Sequence, residues 1–265
     1  MMFVMLFDAP YFFWTELLMR SIYYFESEAK IHICGVELPD AVLDRFRKMR
    51  NVVGVKNYRP QVNASLLRHL SLYDRGLTTV IHLRAFVLSD IMNRFKDEDL
   101  FLITDVDMVL TDKLTNLKKQ MSKHDAAFNI VKDGEKIMAG TVVIKNNDNG
   151  RRFVETWKKY STENKTNSRV DQVALKEAYG LHKNKMKFLN LSKKYLDHTL
   201  HSDTYIWSAH KSYAGGFAMK LHFFQEYVGR IESGENLNHV KYDISQFILE
   251  VVRNKNKLLE GRKVL

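Results

Sequence analysis

Two carboxylates one residue apart, Asp105 and Asp107, close an apolar run and open another in Leu100-Phe101-Leu102-Ile103-Thr104-Asp105-Val106-Asp107-Met108-Val109-Leu110. Residues i and i+2 of extended chain face the same way, so both acids can aim at one point. Like charges held together in a partly buried place are costly unless a cation neutralises them. A hard divalent ion bridging to a diphosphate is the chemistry that answers this cost. Taken alone, the spacing also suits a strand end carrying two solvated acids. The apolar residues on both sides tip the balance, because acids inside such a run are seldom decorative.

Three later stretches add to this pair. Met138-Ala139-Gly140 opens the apolar run Thr141 to Ile144. Small residues there let a backbone come close to a ligand, or simply make a hairpin turn. In Val170-Asp171-Gln172-Val173-Ala174-Leu175, Asp171 and Gln172 fall in the first turn of a helix. There an acid is favoured by the helix dipole, and taken alone the stretch is better explained by plain N-terminal capping by Ser168 or Asp171. Trp207-Ser208-Ala209-His210-Lys211 offers an imidazole that can ligate a divalent metal and a lysine that can neutralise phosphate. Lys220, after Gly215-Gly216, is a second phosphate candidate. With ten histidines in the chain, a solvated loop histidine at 210 is the plain alternative.

The elements that must place these groups follow from apolar periodicity. Phe3 to Phe7 read as a buried strand, Asp8-Ala9-Pro10 as a turn, and Tyr11 to Phe25 as a helix with Trp14, Leu17, Leu18, Ile22 and Phe25 on one face. A strand over 31–36, a helix over 39–49 and a strand over 51–55 continue the alternation. Helices over 66–73 and 78–95 then feed the strand over 100–103. Strand–helix alternation predicts βαβ units and a mainly parallel sheet, and in such sheets ligands bind at the carboxyl ends of strands. Farther on we expect a helix over 112–121, strands over 126–131 and 141–144, and a helix over 151–160. A loop over 161–168 and a helix over 170–179 ended by Gly180 come next, then a strand near 188–191. The chain is loop-like over 198–216, with His198, His201, Asp203 and Trp207 besides His210 and Lys211. Helices over 221–231 and from Ile244 are followed by a basic tail beginning Arg253-Asn254-Lys255.

Composition bounds the class. The 265 residues are 45% hydrophobic and 12% aromatic, with 12 Gly and 3 Pro, which suits a globular core rather than disorder. One cysteine, Cys34, excludes an internal disulfide framework and a cysteine zinc site. A formal charge of +10 points to an anionic partner such as a phosphorylated small molecule, a membrane surface or nucleic acid, although no nucleic-acid motif is present. The N-terminus is greasy but interrupted by Asp8, Pro10 and Glu16, and no apolar run reaches the ~20 residues a bilayer span needs. We therefore expect a soluble, cytoplasmic protein, with peripheral membrane contact through the basic tail as the second reading.

Taken in order, the four stretches resemble a GT-A glycosyltransferase, most closely family 8, the glycogenin and lipopolysaccharide-galactosyltransferase group. The resemblance covers residues 1 to about 220. It rests on Asp105-Val106-Asp107 as Asp-x-Asp, on Ala139-Gly140 with Met138 standing where the family has Asn, on Asp171-Gln172, and on His210 near Lys211 or Lys220. The family's fuller His-x-x-Gly-x-x-Lys-Pro-Trp signature is absent. Upstream, Arg84 fits the place of a basic helix residue that meets the donor, and Asp8, Ala9 and Tyr11 fit the end of the strand that holds the nucleoside base.

The resemblance implies an α/β GT-A fold with a mainly parallel, Rossmann-like sheet. It implies a catalytic domain over 1–220 and a C-terminal helical extension over 221–265. It also implies a metal, Mn²⁺ first and Mg²⁺ second, on Asp105, Asp107 and His210. A nucleoside diphosphate sugar would be the donor, its diphosphate neutralised by Arg84 and Lys211 or Lys220 and its sugar met by Asp171 and Gln172. The activity implied is transfer, with retention, to a glycan or other hydroxyl acceptor. Two rival classes are a sugar nucleotidyltransferase, disfavoured because Phe7-Asp8-Ala9-Pro10 is no Gly-rich phosphate loop, and a basic non-catalytic nucleic-acid or polysaccharide-binding protein.

Overall fold

The computed structural model describes residues 1–59, 72–131, 134, 136–163, 170–209 and 216–261. The chain forms two compact units. One comprises Met1–Phe12, Glu28–Val106 and Thr115–Leu191, the other Phe13–Ser27, Asp107–Leu114 and Ser192–Leu265.

The first unit is built on a seven-stranded sheet. In chain order its strands and helices are β1 (Met2–Phe7), β2 (Lys30–Val36), α2 (Asp40–Arg47), β3 (Val52–Tyr58), α3 (Leu72–Arg94), β4 (Leu100–Thr104), α4 (Thr115–Met121), β6 (Ala126–Val131), β7 (Lys136–Lys145), α5 (Asp148–Glu163), α6 (Val170–His182) and β8 (Phe188–Asn190). The strand order is β3-β2-β1-β4-β7-β6-β8. Pairs β1–β2, β2–β3, β1–β4 and β6–β8 are parallel, while β7 runs antiparallel to both β4 and β6. The sheet is thus mostly parallel, as the strand–helix alternation predicts.

The reason lies in the apolar pattern. Every residue of β1 and β4 is buried, which is the signature of strands covered on both faces. Alternation splits β1 between two layers. Met2, Val4 and Leu6 join Phe101, Ile103 and the α3 residues Ala85, Leu88, Ile91 and Met92 in one core cluster. On the other face Phe7 meets Phe46 of α2 edge-on at 5.4 Å.

Several boundaries differ from expectation, each for a physical reason. The helix expected from Arg151 starts at Asp148, because Asn147 Oδ1 accepts from Gly150 N at 2.8 Å and caps it. Gly180 does not end its helix, which runs on to His182; one glycine costs a helix only about 1 kcal/mol. Ala139 and Gly140 do not open a strand but lie inside the ten-residue β7. Residues 161–163 are helical rather than loop, and the remainder of that expected loop lies outside the described residues, as does most of the helix expected over 66–73.

The second unit contains α1 (Phe12–Phe25, from Phe13 onward), β5 (Val109–Leu110), β9 (Ile206–Trp207), α7 (Phe217–Glu232) and α8 (Leu237–Gly261). β5 and β9 pair antiparallel as Val109↔Trp207 and Leu110↔Ile206, and the helix expected from Asp112 starts only at Thr115. Ser21 on α1 accepts from Leu110 N at 3.0 Å, and Glu26 accepts from Leu114 N at 2.6 Å, which ties that segment to α1. Trp207 packs on Phe224 at 4.8 Å and on Tyr227 at 5.9 Å. The basic stretch from Arg253 is not an irregular tail, since α8 carries on through it to Gly261. No helix among the described residues is long and apolar enough to cross a membrane.

Candidate functional site

In the first unit three sequence-selected positions, Asp105, Ala139 and Asp171, meet the guanidinium of a fourth, Arg84. Arg84 projects from α3, which is held on the core by the apolar residues flanking it at helical spacing. Its Nη1 donates to the Ala139 carbonyl and, at 3.3 Å, to Asp171 Oδ2; its Nη2 donates to Asp105 Oδ1. The Arg84 side chain is 6% exposed, that of Asp171 7% and that of Asp105 42%. One planar fork therefore joins a buried acid, a strand carbonyl and an acid that opens to solvent.

Each partner is positioned by its element. Asp105 follows β4, and its backbone N–H donates to the Gly140 carbonyl at 2.8 Å. Thr104 Oγ1 donates to the same carbonyl at 3.0 Å. Ala139 and Gly140 thus act through their carbonyl oxygens, inside the β7 ladder. Asp171 sits in the first turn of α6, where Gln172 N donates to its Oδ1 at 2.8 Å and its own carbonyl accepts from Trp157 Nε1 at 3.2 Å. Burial pushes the Asp171 carboxyl above the usual range, and the Arg84 charge and the Gln172 N–H pull against it. Gln172 itself is half-buried beside it.

Asp8 directly follows β1 in the same unit. It is 9% exposed, its Oδ1 has no hydrogen-bond partner among the described residues, and burial raises its pKa. Such an orphaned buried oxygen is costly to leave unmade. Ala9 is exposed and Tyr11 half-buried, both within a single 3₁₀ turn, Ala9–Tyr11, rather than the simple turn expected.

The second unit carries another pair. Asp107 Oδ2 accepts from Lys220 Nζ at 2.7 Å, with the lysine 4% and the aspartate 26% exposed. Lys220 lies in the first turn of α7 with its ammonium 5.5 Å from the Trp14 ring and 5.4 Å from the Phe224 ring. Trp14 and Phe224 were legible only as apolar helix positions, and nothing local in the sequence marks them as a lysine's walls. Val106, between the two acids, is buried. His210 and Lys211 lie outside the described residues. Among the described residues no cluster of three or more His, Cys, Asp and Glu is placed to hold a metal.

A protein-family model, that of the galactosyl transferase GMA12/MNN10 family, matches residues 77–211. The chain belongs to that family. The matched span holds Arg84, Asp105, Asp107, Ala139, Gly140, Asp171, Gln172, His210 and Lys211, and leaves Asp8 and Lys220 outside it. The sequence resemblance pointed to the glycogenin and lipopolysaccharide-galactosyltransferase group, so it agrees with the match at the level of the glycosyltransferase class. No curated protein sequence matches the chain.

Among solved structures, the apo form of the glycosyltransferase GlyE from Streptococcus pneumoniae TIGR4 is similar, with a TM-score of 0.56 at 16% identity over 95% of this chain. The chain spans 63% of the length of that protein. The galactosyltransferase LgtC, solved with donor and acceptor sugar analogs, is similar over 73% of this chain and 74% of its own, with a TM-score of 0.51 and 16% identity. These likenesses place the chain in the GT-A fold, the architecture expected from its sequence.

Proposed function

We propose that the protein transfers a sugar from a nucleoside diphosphate sugar, a UDP-sugar in the first instance, to a hydroxyl of a glycan or similar acceptor, with retention of configuration. The observation that carries the proposal is the Arg84 fork. Inside the family-matched span, it couples the solvent-facing Asp105 to the buried Asp171 through one fixed cation. A preorganised charge array of this kind stabilises charge that develops as a glycosidic bond to diphosphate breaks.

Each residue then has a role. Asp8, with a buried oxygen lacking a partner, would accept an N–H from the base, and Ala9 and Tyr11 would line its approach. Asp171, fixed by Arg84, and Gln172 would orient the sugar hydroxyls and stabilise an oxocarbenium-like state. Ala139 and Gly140, engaged through their carbonyls, would hold β7 beside them. Asp105 and Asp107, joined by one residue of chain, supply hard oxygen donors of the kind Mn²⁺ or Mg²⁺ takes, and both keep exposed surface. His210 would be a third ligand and Lys211 a phosphate contact. Such an ion, when bound, neutralises the leaving diphosphate. Retention rests on the resemblance to family 8.

The experiment is a panel of nucleoside diphosphate sugars incubated with the protein and Mn²⁺, Mg²⁺ or EDTA. Donor hydrolysis and thermal shift are the readouts. A UDP-sugar should be hydrolysed and should stabilise the protein only with metal present. A protein that neither binds nor hydrolyses any member of the panel does not have this function.

A further inference from the structure

We propose that Lys220 is a built-in counter-charge for Asp107, which weakens the binding of a divalent cation that arrives without a diphosphate. The inference rests on the reading of Asp107 as a metal and diphosphate anchor, and it assigns Lys220 a task other than gripping phosphate. Its basis is the asymmetry of the pair. The Lys220 side chain is 4% exposed with its ammonium 2.7 Å from the carboxylate, while the Asp107 side chain is 26% exposed. A cation can therefore approach Asp107 from solvent, but Lys220 cannot swing out to meet it there.

The lysine is fixed from several sides. Its backbone N–H donates to the Gly216 carbonyl at 3.0 Å at the start of α7, and Gly216 enters that helix at φ 120°, a conformation other residues adopt poorly. The Trp14 and Phe224 rings flank its ammonium, and Trp14 meets Phe224 edge-on at 5.7 Å. Cation–π contact holds the charge between them. A buried ion pair is weak evidence for stability, because an apolar residue of similar volume often serves as well. What Lys220 supplies that an apolar residue cannot is one positive charge directly beside Asp107. That charge repels a lone dication and is outweighed when a diphosphate brings its own negative charge to the same place.

The test is Mn²⁺ binding to the full chain without nucleotide, followed by quenching of tryptophan fluorescence and by titration calorimetry, for wild type, Lys220→Met and Lys220→Arg. Lys220→Met should bind Mn²⁺ at least tenfold tighter than wild type, and Lys220→Arg should match wild type. The gain in Mn²⁺ affinity on adding UDP should shrink in Lys220→Met by the same factor. Lys220→Gln gives the same comparison if circular dichroism shows Lys220→Met unfolded. Unchanged or weaker Mn²⁺ binding by the neutral variants overturns the inference, as does a loss of UDP affinity in EDTA with Mn²⁺ binding unaltered, which would make Lys220 a phosphate ligand. If wild type binds no Mn²⁺ even with UDP, the anchor reading of Asp107 falls as well. If it binds and the neutral variants show no gain, only the counter-charge falls.

Discussion

Arg84→Met should unfold the first unit early, and by an amount that depends on pH. Arg84 is the only cation whose ion pair with Asp171 is seen among the described residues, and both side chains are nearly inaccessible. Removing one member of a buried pair typically costs about 3–5 kcal/mol, because the other charge is left uncompensated. The Asp105 arm adds little, since that carboxylate is 42% exposed and solvent screens it. At a few degrees per kcal/mol for a chain of this size, the melting temperature should fall by roughly 6–15 °C at pH 8.

Burial already raises the Asp171 carboxyl against the opposing pull of Arg84, so loss of Arg84 raises it further. A carboxyl whose folded pKa lies above its unfolded value of about 3.9 holds more protons when native. Stability is then lost as pH rises from the unfolded value through the folded one. The deficit of Arg84→Met should therefore shrink as pH drops from 8 to 5. Arg84→Met with Asp171→Asn should recover more than half of the loss and show no such slope. Thermal and urea unfolding followed by circular dichroism read both quantities. A single variant within about 1 kcal/mol of wild type, or a double variant no better than the single, refutes the assignment of Asp171 as a buried charge held by Arg84.

Asp8→Ala removes an orphaned buried oxygen; melting should stay unchanged or rise while UDP affinity falls about tenfold, or ~1.4 kcal/mol, and a variant that loses stability but not UDP affinity contradicts the base-binding role. His32 is buried, and desolvation lowers its pKa to about 4. The unfolded chain takes up a proton near 6.5, so stability should be lost as pH falls from about 6.5 towards 4, by up to ~3 kcal/mol. His32→Gln should flatten that part of the urea-derived profile, and an unchanged slope would assign the effect elsewhere. A Cβ at Gly150 would sit 2.0 Å from the Lys145 carbonyl oxygen, so Gly150→Ala should lower the melting temperature markedly, and a neutral result would contradict the close approach of α5 to β7.

Much of the frame was legible because burial on both faces writes itself as unbroken apolar runs. Met2–Phe7 and Leu100–Thr104 are built on such runs, and their places agree with expectation to within a residue at either end. Glycine was the poorest guide. Gly180 stays helical, and Gly150 lies within α5, where a side chain would run into the Lys145 carbonyl. The two-residue strands Val109–Leu110 and Ile206–Trp207 are too short to carry a period at all.

At the site, residue types were readable and partnerships were not. Arg84, Asp105 and Asp171 could each be singled out from the sequence. That one guanidinium joins two carboxylates 66 positions apart in the chain, 105 and 171, depends on how α3, β4 and α6 assemble. Likewise Lys220 read as a phosphate candidate, whereas its closest partner is the carboxylate of Asp107.

The central claim is that Asp105-Val106-Asp107 holds the donor diphosphate through a divalent ion. Calorimetric titration of UDP with Mn²⁺ into wild type and into Asp105→Asn with Asp107→Asn tests it most directly. Metal-dependent binding by wild type, lost by a hundredfold or more in a folded double variant, is the predicted result. Equal affinity of the two proteins for UDP and Mn²⁺ would contradict it.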